Sequence, residues 1–141
     1  MDTSDVKEVL NAMFSEAEEK KLKSLHPHLV KVVRRARTLG ATFRIGETTR
    51  SLAQQKKNIA NGVSWTLRSR HLASSKDGLA RAVDLLCLVD GKVTWSWPPY
   101  HKLAAVMKQA AKDCKVPIEW GGDWKRTKDG PHFQLPWKDY P

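Results

Sequence analysis

Cysteine is scarce in this sequence: only Cys87 and Cys114 are present. Two cysteines make no disulfide framework, and neither lies in a CxxC pair, so a cysteine zinc site is excluded as the organising feature. Each sits among apolar residues and reads as a small buried hydrophobe with a free thiol. Long hydrophobic runs are also missing. No stretch has the length needed to cross a membrane as a helix. Met1 to Lys20 lacks an apolar segment of the kind that marks a secretory signal, so a target outside the cytoplasm would require delivery by other means. Internal repeats and low-complexity tracts are absent. Acidic residues are outnumbered, 15 against 25 basic, for a formal charge of +10. That balance implies an anionic partner, either a nucleic acid or an anionic cell envelope. The densest basic group, Lys31, Arg34, Arg35 and Arg37, interleaves with apolar residues at helical spacing and reads as a solvated helix face.

What is present is ordinary for one globular domain: 141 residues, 40% hydrophobic and 28% charged. Residues 5–20 have helical character, with Asp5 and Glu8 in a capping-box arrangement. We divide the chain into a helical arm, 1–22, and a main domain, 23–141. Pro27 opens a helix in which Leu29, Val32, Val33 and Ala36 form a buried stripe, ended by Gly40. Ala41 to Ile45 alternates as a strand. Ser51 caps a helix to about Ala60, stopped by Asn61-Gly62. Residues 63–81 form a long loop. Ala82 to Val89 is an apolar strand, Asp90-Gly91 a hairpin turn, and Lys92 to Trp95 the return strand. Trp97-Pro98-Pro99 opens a helix with Leu103, Val106, Met107, Ala110 and Cys114 on one stripe. Val116 to Trp120 and His132 to Leu135 read as two further strands. Helices intermixed with hairpin-joined strands predict an α+β fold, a small, mainly antiparallel central sheet flanked by helices.

Asp84 is the most informative residue. It interrupts Ala82-Val83-Asp84-Leu85-Leu86-Cys87-Leu88-Val89, where every other residue is apolar. A carboxylate in such a strand needs a compensating cation or an opening onto a site. A salt bridge to an arginine or lysine is the plain alternative. His71 and His132 lie far away in sequence, yet two histidines and an aspartate brought together would match a catalytic zinc site, with one position left for water. His26, His28 and His101 read as helix-entry or surface residues. Asp129, three residues before His132, can take a proton from an activated water. As one member of Lys128-Asp129-Gly130 it is equally a plain turn residue. Arg50 can steady a developing oxyanion, or simply pair with a carboxylate at a helix start. Of six tryptophans, Trp120 and Trp124 flank Gly121-Gly122-Asp123 and can line a groove. Aromatic and basic residues together also suit a non-enzymatic module binding nucleic acid or cell wall.

Taken in order, five segments resemble a known family: Thr49-Arg50-Ser51 with Gln54, Ser69-Arg70-His71, Ala82-Val83-Asp84-Leu85, Trp120-Gly121-Gly122-Asp123-Trp124, and Lys128-Asp129-Gly130-Pro131-His132-Phe133. From about Leu25 onward the chain is similar to the VanY-type D-alanyl-D-alanine carboxypeptidase superfamily, and within it to the phage L-alanyl-D-glutamate endopeptidases. The resemblance implies a zinc ion (Zn2+) held by His71, Asp84 and His132, with Asp129 as catalytic base. It implies Arg50 as clamp on substrate and transition state. Ser69 would support the site by hydrogen bonding, and Gln54 would pack beneath the Arg50 loop. The implied substrate is the peptidoglycan stem peptide, cut at the L-Ala–D-Glu bond, with the terminal D-Ala–D-Ala bond as the alternative. A phage lysin of this kind would be a monomer made in the host cytoplasm and released by a holin. It would act at an anionic envelope, with no nucleic-acid partner. The family's spacing between first histidine and aspartate is shorter. Here residues 73–79 read as an inserted loop, which makes Asp77 a rival ligand to Asp84.

Overall fold

The computed structural model describes residues 14–50, 52–61 and 69–141. Four α-helices, one 3-10 turn and five short strands are found among them. The first helix, α1 (Glu16–Lys23), opens on Ser15, whose hydroxyl accepts from Glu18 N while the Glu18 carboxylate accepts from Ser15 N. This reciprocal cap is worth about 1 kcal/mol to so short a helix. The expected Asp5–Glu8 cap lies outside the described residues. Residues 16–22, expected in a peripheral arm, are tied to the body. Leu22 is buried, Lys21 donates to Ile45 O, Glu18 accepts from Ile45 N, and Glu19 takes a two-pronged bond from Arg34.

Helix α2 (Pro27–Thr38) begins where His26 Nδ1 accepts from His28 N, and ends before Gly40, whose φ of 100° suits glycine. Its buried residues, Leu29, Val32, Val33 and Ala36, are those of the expected stripe. The arginines between them are engaged within the protein. Arg35 pairs with Asp113, and Arg37 donates to Phe43 O with its guanidinium over the Phe14 and Phe43 rings. Strand β1 (Phe43–Ile45) follows, then α3 (Leu52–Ala60).

Strand β2 (Ala82–Val89) is the axis of the sheet. It pairs antiparallel with β1, with β3 (Lys92–Val93) through the Asp90-Gly91 turn, and with β5 (His132–Gln134); β4 (Glu119–Trp120) completes the order β1-β2-β5-β4. Both turn residues have positive φ, 53° and 75°, as a tight hairpin demands. The return strand is two residues long, not four: Thr94 N still donates to Cys87 O, but the Tyr100 hydroxyl stands between Cys87 N and Thr94 O, where the next ladder bond would form. Helix α4 (Trp97–Cys114) packs on α2 and against β2. Its stripe lies among the core residues, with Leu103, Met107 and Ala110 buried. Burial also settles the cysteines: both are free, and loss of hydration pushes the Cys87 thiol up to about 11, too high for reactivity at neutral pH.

Candidate metal centre

The sheet register builds the first half of the site. Asp84 and His132 are directly opposed on β2 and β5. Opposed residues on one face have Cβ atoms about 4.5–5.5 Å apart, so pairing alone brings a carboxylate against an imidazole. The second histidine arrives on the turn after the undescribed segment. Ser69 Oγ accepts from His71 N, Arg50 N donates to His71 O at 2.7 Å, and Arg81 N donates to Arg70 O. These bonds hold His71 against the other side of Asp84. The Nε2 atom of His71 lies 3.3 Å, and Nδ1 of His132 3.4 Å, from Asp84 Oδ1.

The remaining ring nitrogens decide what those contacts are. His71 Nδ1 lies 2.8 Å from Thr48 O, and a carbonyl only accepts, so Nδ1 carries the proton. His132 Nε2 lies 2.7 Å from Gln134 Oε1. The Gln134 amide nitrogen donates to Glu119, which fixes its oxygen toward the ring. Each histidine therefore spends one N–H on an oxygen and turns its other nitrogen to Asp84. Asp84 Oδ1 is buried with no hydrogen-bond partner. Three electron-rich atoms thus converge, an arrangement that is repulsive unless a positive charge lies between them. A tetrahedral cation with bonds of about 2.0–2.1 Å would hold its ligand atoms about 3.3 Å apart, which is the spacing seen. The donor set and its backing carbonyls fit a metal ion, and His71, Asp84 and His132 can hold one.

The electrostatics agree. Burial raises the Asp84 pKa, but the His132 and His71 rings outweigh it and hold the carboxyl well below the usual carboxylate range. Burial lowers His71, yet Asp84 outweighs it and leaves the ring above its ordinary value. Asp77, the rival ligand, is elsewhere: both of its oxygens accept from Arg81, at 2.7 and 3.0 Å. The loop at residues 73–79 closes on itself, with Ser74 N bonded to Leu79 O and Gly78 N to Ser74 O.

Asp129 stands beside this cluster, half-buried. Burial first, then the nearby Asp84 charge, raises its pKa, opposed by His132 and His71. Its turn is locked from two sides: Asp129 N donates to Gly121 O, and the Trp120 indole donates to Gly130 O at 2.7 Å. A Cβ on Gly121 would lie 2.3 Å from Asp129 O, so only glycine lets the 3-10 turn (Gly121–Asp123) come this close. Arg50 reaches the same region, and both Asp84 and Asp129 act on it electrostatically. Its guanidinium is held two-pronged by Glu47, whose carbonyl also accepts from Asp84 N.

Two expectations are corrected. Trp120 is 4% exposed and stacks on Phe133, so it supports the Asp129 turn from beneath and does not line a groove. Gln54 is exposed on α3 and bonds to Asn58, rather than packing under the Arg50 loop. Trp124 is at the site, its ring 5.0 Å from that of His132. Three contributors escaped the sequence reading: Glu47, Thr48 and Gln134. The signal for Gln134 was its position two residues after His132, on the same face of the strand. Glu47 stood three residues before Arg50. Thr48 acts through its carbonyl, which no side-chain pattern discloses.

Comparison with known proteins places this geometry in context. The model of a family described as phage L-alanyl-D-glutamate peptidase matches residues 10–135. The L-alanyl-D-glutamate peptidase of Escherichia phage T5 is 31% identical over 135 residues, covering 86% of this chain and 96% of that protein. A protein of the same name from Listeria phage A118 is 37% identical over 101 residues, covering 72% of this chain but only 33% of the relative. The crystal structure of the Serratia marcescens L-Ala D-Glu endopeptidase ChiX superposes with a TM-score of 0.81 at 42% identity, covering 91% of this chain and 92% of that one.

Proposed function

Because the chain belongs to the phage L-alanyl-D-glutamate peptidase family, we propose that it hydrolyses the L-Ala–D-Glu bond of the peptidoglycan stem peptide as a zinc-dependent endolysin. The observation that carries the metal assignment is the orphaned, buried Oδ1 of Asp84 facing two imidazole nitrogens at 3.3 and 3.4 Å. Histidine and carboxylate ligands without thiolate suit zinc. When bound, zinc supplies Lewis acidity, polarising a carbonyl and lowering the pKa of water to about 7.

The chain's own residues supply the rest. The Asp129 carboxylate takes a proton from the attacking water, and its raised pKa suits it to return that proton to the leaving amine nitrogen. Arg50, aimed by Glu47, presents N–H groups to the carbonyl oxygen as negative charge develops there. Trp124 walls the site beside His132 and meets the substrate. Ser69 holds the His71 turn in place through its bond to His71 N. The enzyme acts as a monomer, made in the host cytoplasm and released to the wall through a holin, and its charge of +10 favours an anionic envelope.

The test is digestion of purified peptidoglycan, read by mass spectrometry, with metal content measured before and after chelation. Fragments ending at L-Ala, lost on chelation and restored by zinc, are the expected result. Release of free D-alanine would replace the bond assignment with the terminal D-Ala–D-Ala bond. Undiminished cleavage by metal-free protein would overturn the zinc assignment.

A further inference from the structure

Beside the Asp129 turn lies a cavity of about 240 Å³ that none of the three candidate metal ligands lines. It is lined by Trp95, Trp97, Tyr100, Lys128 and the Asp129–Pro131 segment. Two of these residues keep much of their surface in water, although Trp97 also packs against His101 and Trp120. Trp95 is 70% exposed and Trp97 42% exposed. Large aromatic faces left in water at the rim of a cavity are typical of binding sites, where one face packs and the polar edge stays wet. The walls are fixed. Tyr100 is buried, with its hydroxyl bonded to Cys87 N and Thr94 O, and a Cβ on Gly130 would lie 3.3 Å from the Tyr100 ring and 3.4 Å from Trp97. The cavity and the metal cluster therefore share one rigid wall, the Asp129 turn.

Resting on the function proposed above, we infer that this cavity is a subsite for the sugar of the muramyl peptide. The substrate's connectivity carries the argument. In peptidoglycan the L-Ala amine is acylated by the lactyl group of N-acetylmuramic acid, so one residue separates the scissile carbonyl from the lactyl carbonyl. At roughly 3.5 Å per residue, a peptide positioned at Asp129 brings its saccharide within about two residue lengths of the turn. Sugar rings offer flat C–H faces edged by hydroxyls. The exposed Trp95 and Trp97 rings match the faces, and the Lys128 ammonium, a donor only, can meet the hydroxyl and N-acetyl oxygens. The sugar subsite would make the enzyme prefer stem peptides still attached to glycan.

Two measurements test this. In the first, kcat/KM is compared for a disaccharide-bearing stem peptide and for the same peptide carrying only an N-acetyl cap. The wild type should favour the sugar-bearing substrate by tenfold or more, and Trp95→Ala should narrow that ratio toward unity. A wild type with no preference, or a variant whose ratio stays unchanged, overturns the subsite. The second is independent of cleavage. The N-acetylglucosamine–N-acetylmuramic acid disaccharide alone is titrated into zinc-loaded protein while the indole N–H resonances are followed. Saturable shifts of Trp95 and Trp97, lost for Trp95 and weakened for Trp97 in Trp95→Ala, are expected; unmoved indoles overturn the inference. If the wild type cuts neither peptide or cuts a different bond, the proposed function has failed, and the titration still judges the cavity.

Discussion

At the scale of single residues, the site depends on which atom of each side chain is committed elsewhere. Asp129 meets the cluster's ligands by hydrogen bond only through its backbone oxygen, which accepts from His132 N, so changing its side chain should leave the metal and the fold in place. Asp129→Asn is expected to lower kcat by about 10²–10⁴-fold, with zinc content and Tm unchanged, as measured by metal analysis and thermal melting alongside kinetics. Gln134 does the opposite job. It makes no chemistry but sets the His132 ring, so Gln134→Leu should weaken zinc binding by about 10–100-fold in a competition titration with a chelator. Unchanged affinity in that variant would mean that the ring is oriented by strand packing alone. Asp84 stands out in the sequence as a charge in an apolar strand, whereas His71, His132 and Asp129 are ordinary where they stand and are singled out by the motifs that carry the family resemblance. Trp120 misled because its indole was counted as surface. Its neighbour Gly122, whose added Cβ would lie 2.3 Å from the ring, shows how tightly the indole is packed instead.

At the scale of elements, the 3-10 turn and the Asp129 turn form one unit. Gly121→Ala would push a methyl into Asp129 O, costing about 1–3 kcal/mol and displacing the base. Because a 1 Å misplacement can cost about 10²-fold, activity should fall by that order even where the variant remains folded, a split visible by comparing melting with turnover. The loop at residues 73–79 gives a different prediction. Asp77 is lowered to about 2 by the Arg81 bond first and the Leu79 N–H second. A depressed carboxylate contributes stability above its unfolded pKa near 3.8 that disappears as pH falls through about 2. Asp77→Asn should therefore lower stability at pH 7 by about 1 kcal/mol or less, since the group is partly solvated, and the difference from wild type should vanish near pH 2. Denaturant melts across that range read it directly. Helices α2, α3 and α4 and strand β2 could be bounded closely from their apolar patterns and end signals, whereas the first helix, expected over 5–20, runs to Lys23 because its last turn carries the buried Leu22. The short strands β3 and β4 could not, since a side-chain acceptor or a single bend ends them and leaves no period to detect.

At the scale of the whole molecule, charge and fold serve separate ends. Arg34 and Arg35 pair with Glu19 and Asp113, and the Arg37 guanidinium lies over two aromatic rings, so the densest basic group is occupied within the protein while the net charge stays +10. That net charge favours an anionic envelope. Raising salt from 0.1 M to 1 M shortens the screening length from about 10 Å to about 3 Å. Turnover of intact envelopes should drop accordingly, while turnover of short soluble fragments should change far less. Equal loss on both substrates would place the salt effect in the active site.

The closed loop at residues 73–79 has a bearing on what can be attached to this enzyme. Its two ends are clipped by Arg81 N on Arg70 O, upstream of one ligand strand and beside the turn bearing the other. Length added between them is absorbed outside that clip. Doubling a flexible loop costs only about 0.6 kcal/mol in closure entropy. The tip around Lys76 is exposed, and the loop's own hydrogen bonds run to Ser74, Leu79 and Arg81, not to a metal ligand. It is a natural port for grafted cargo, where a wall-anchoring peptide or a reporter can be spliced into the middle of the chain without either terminus being used.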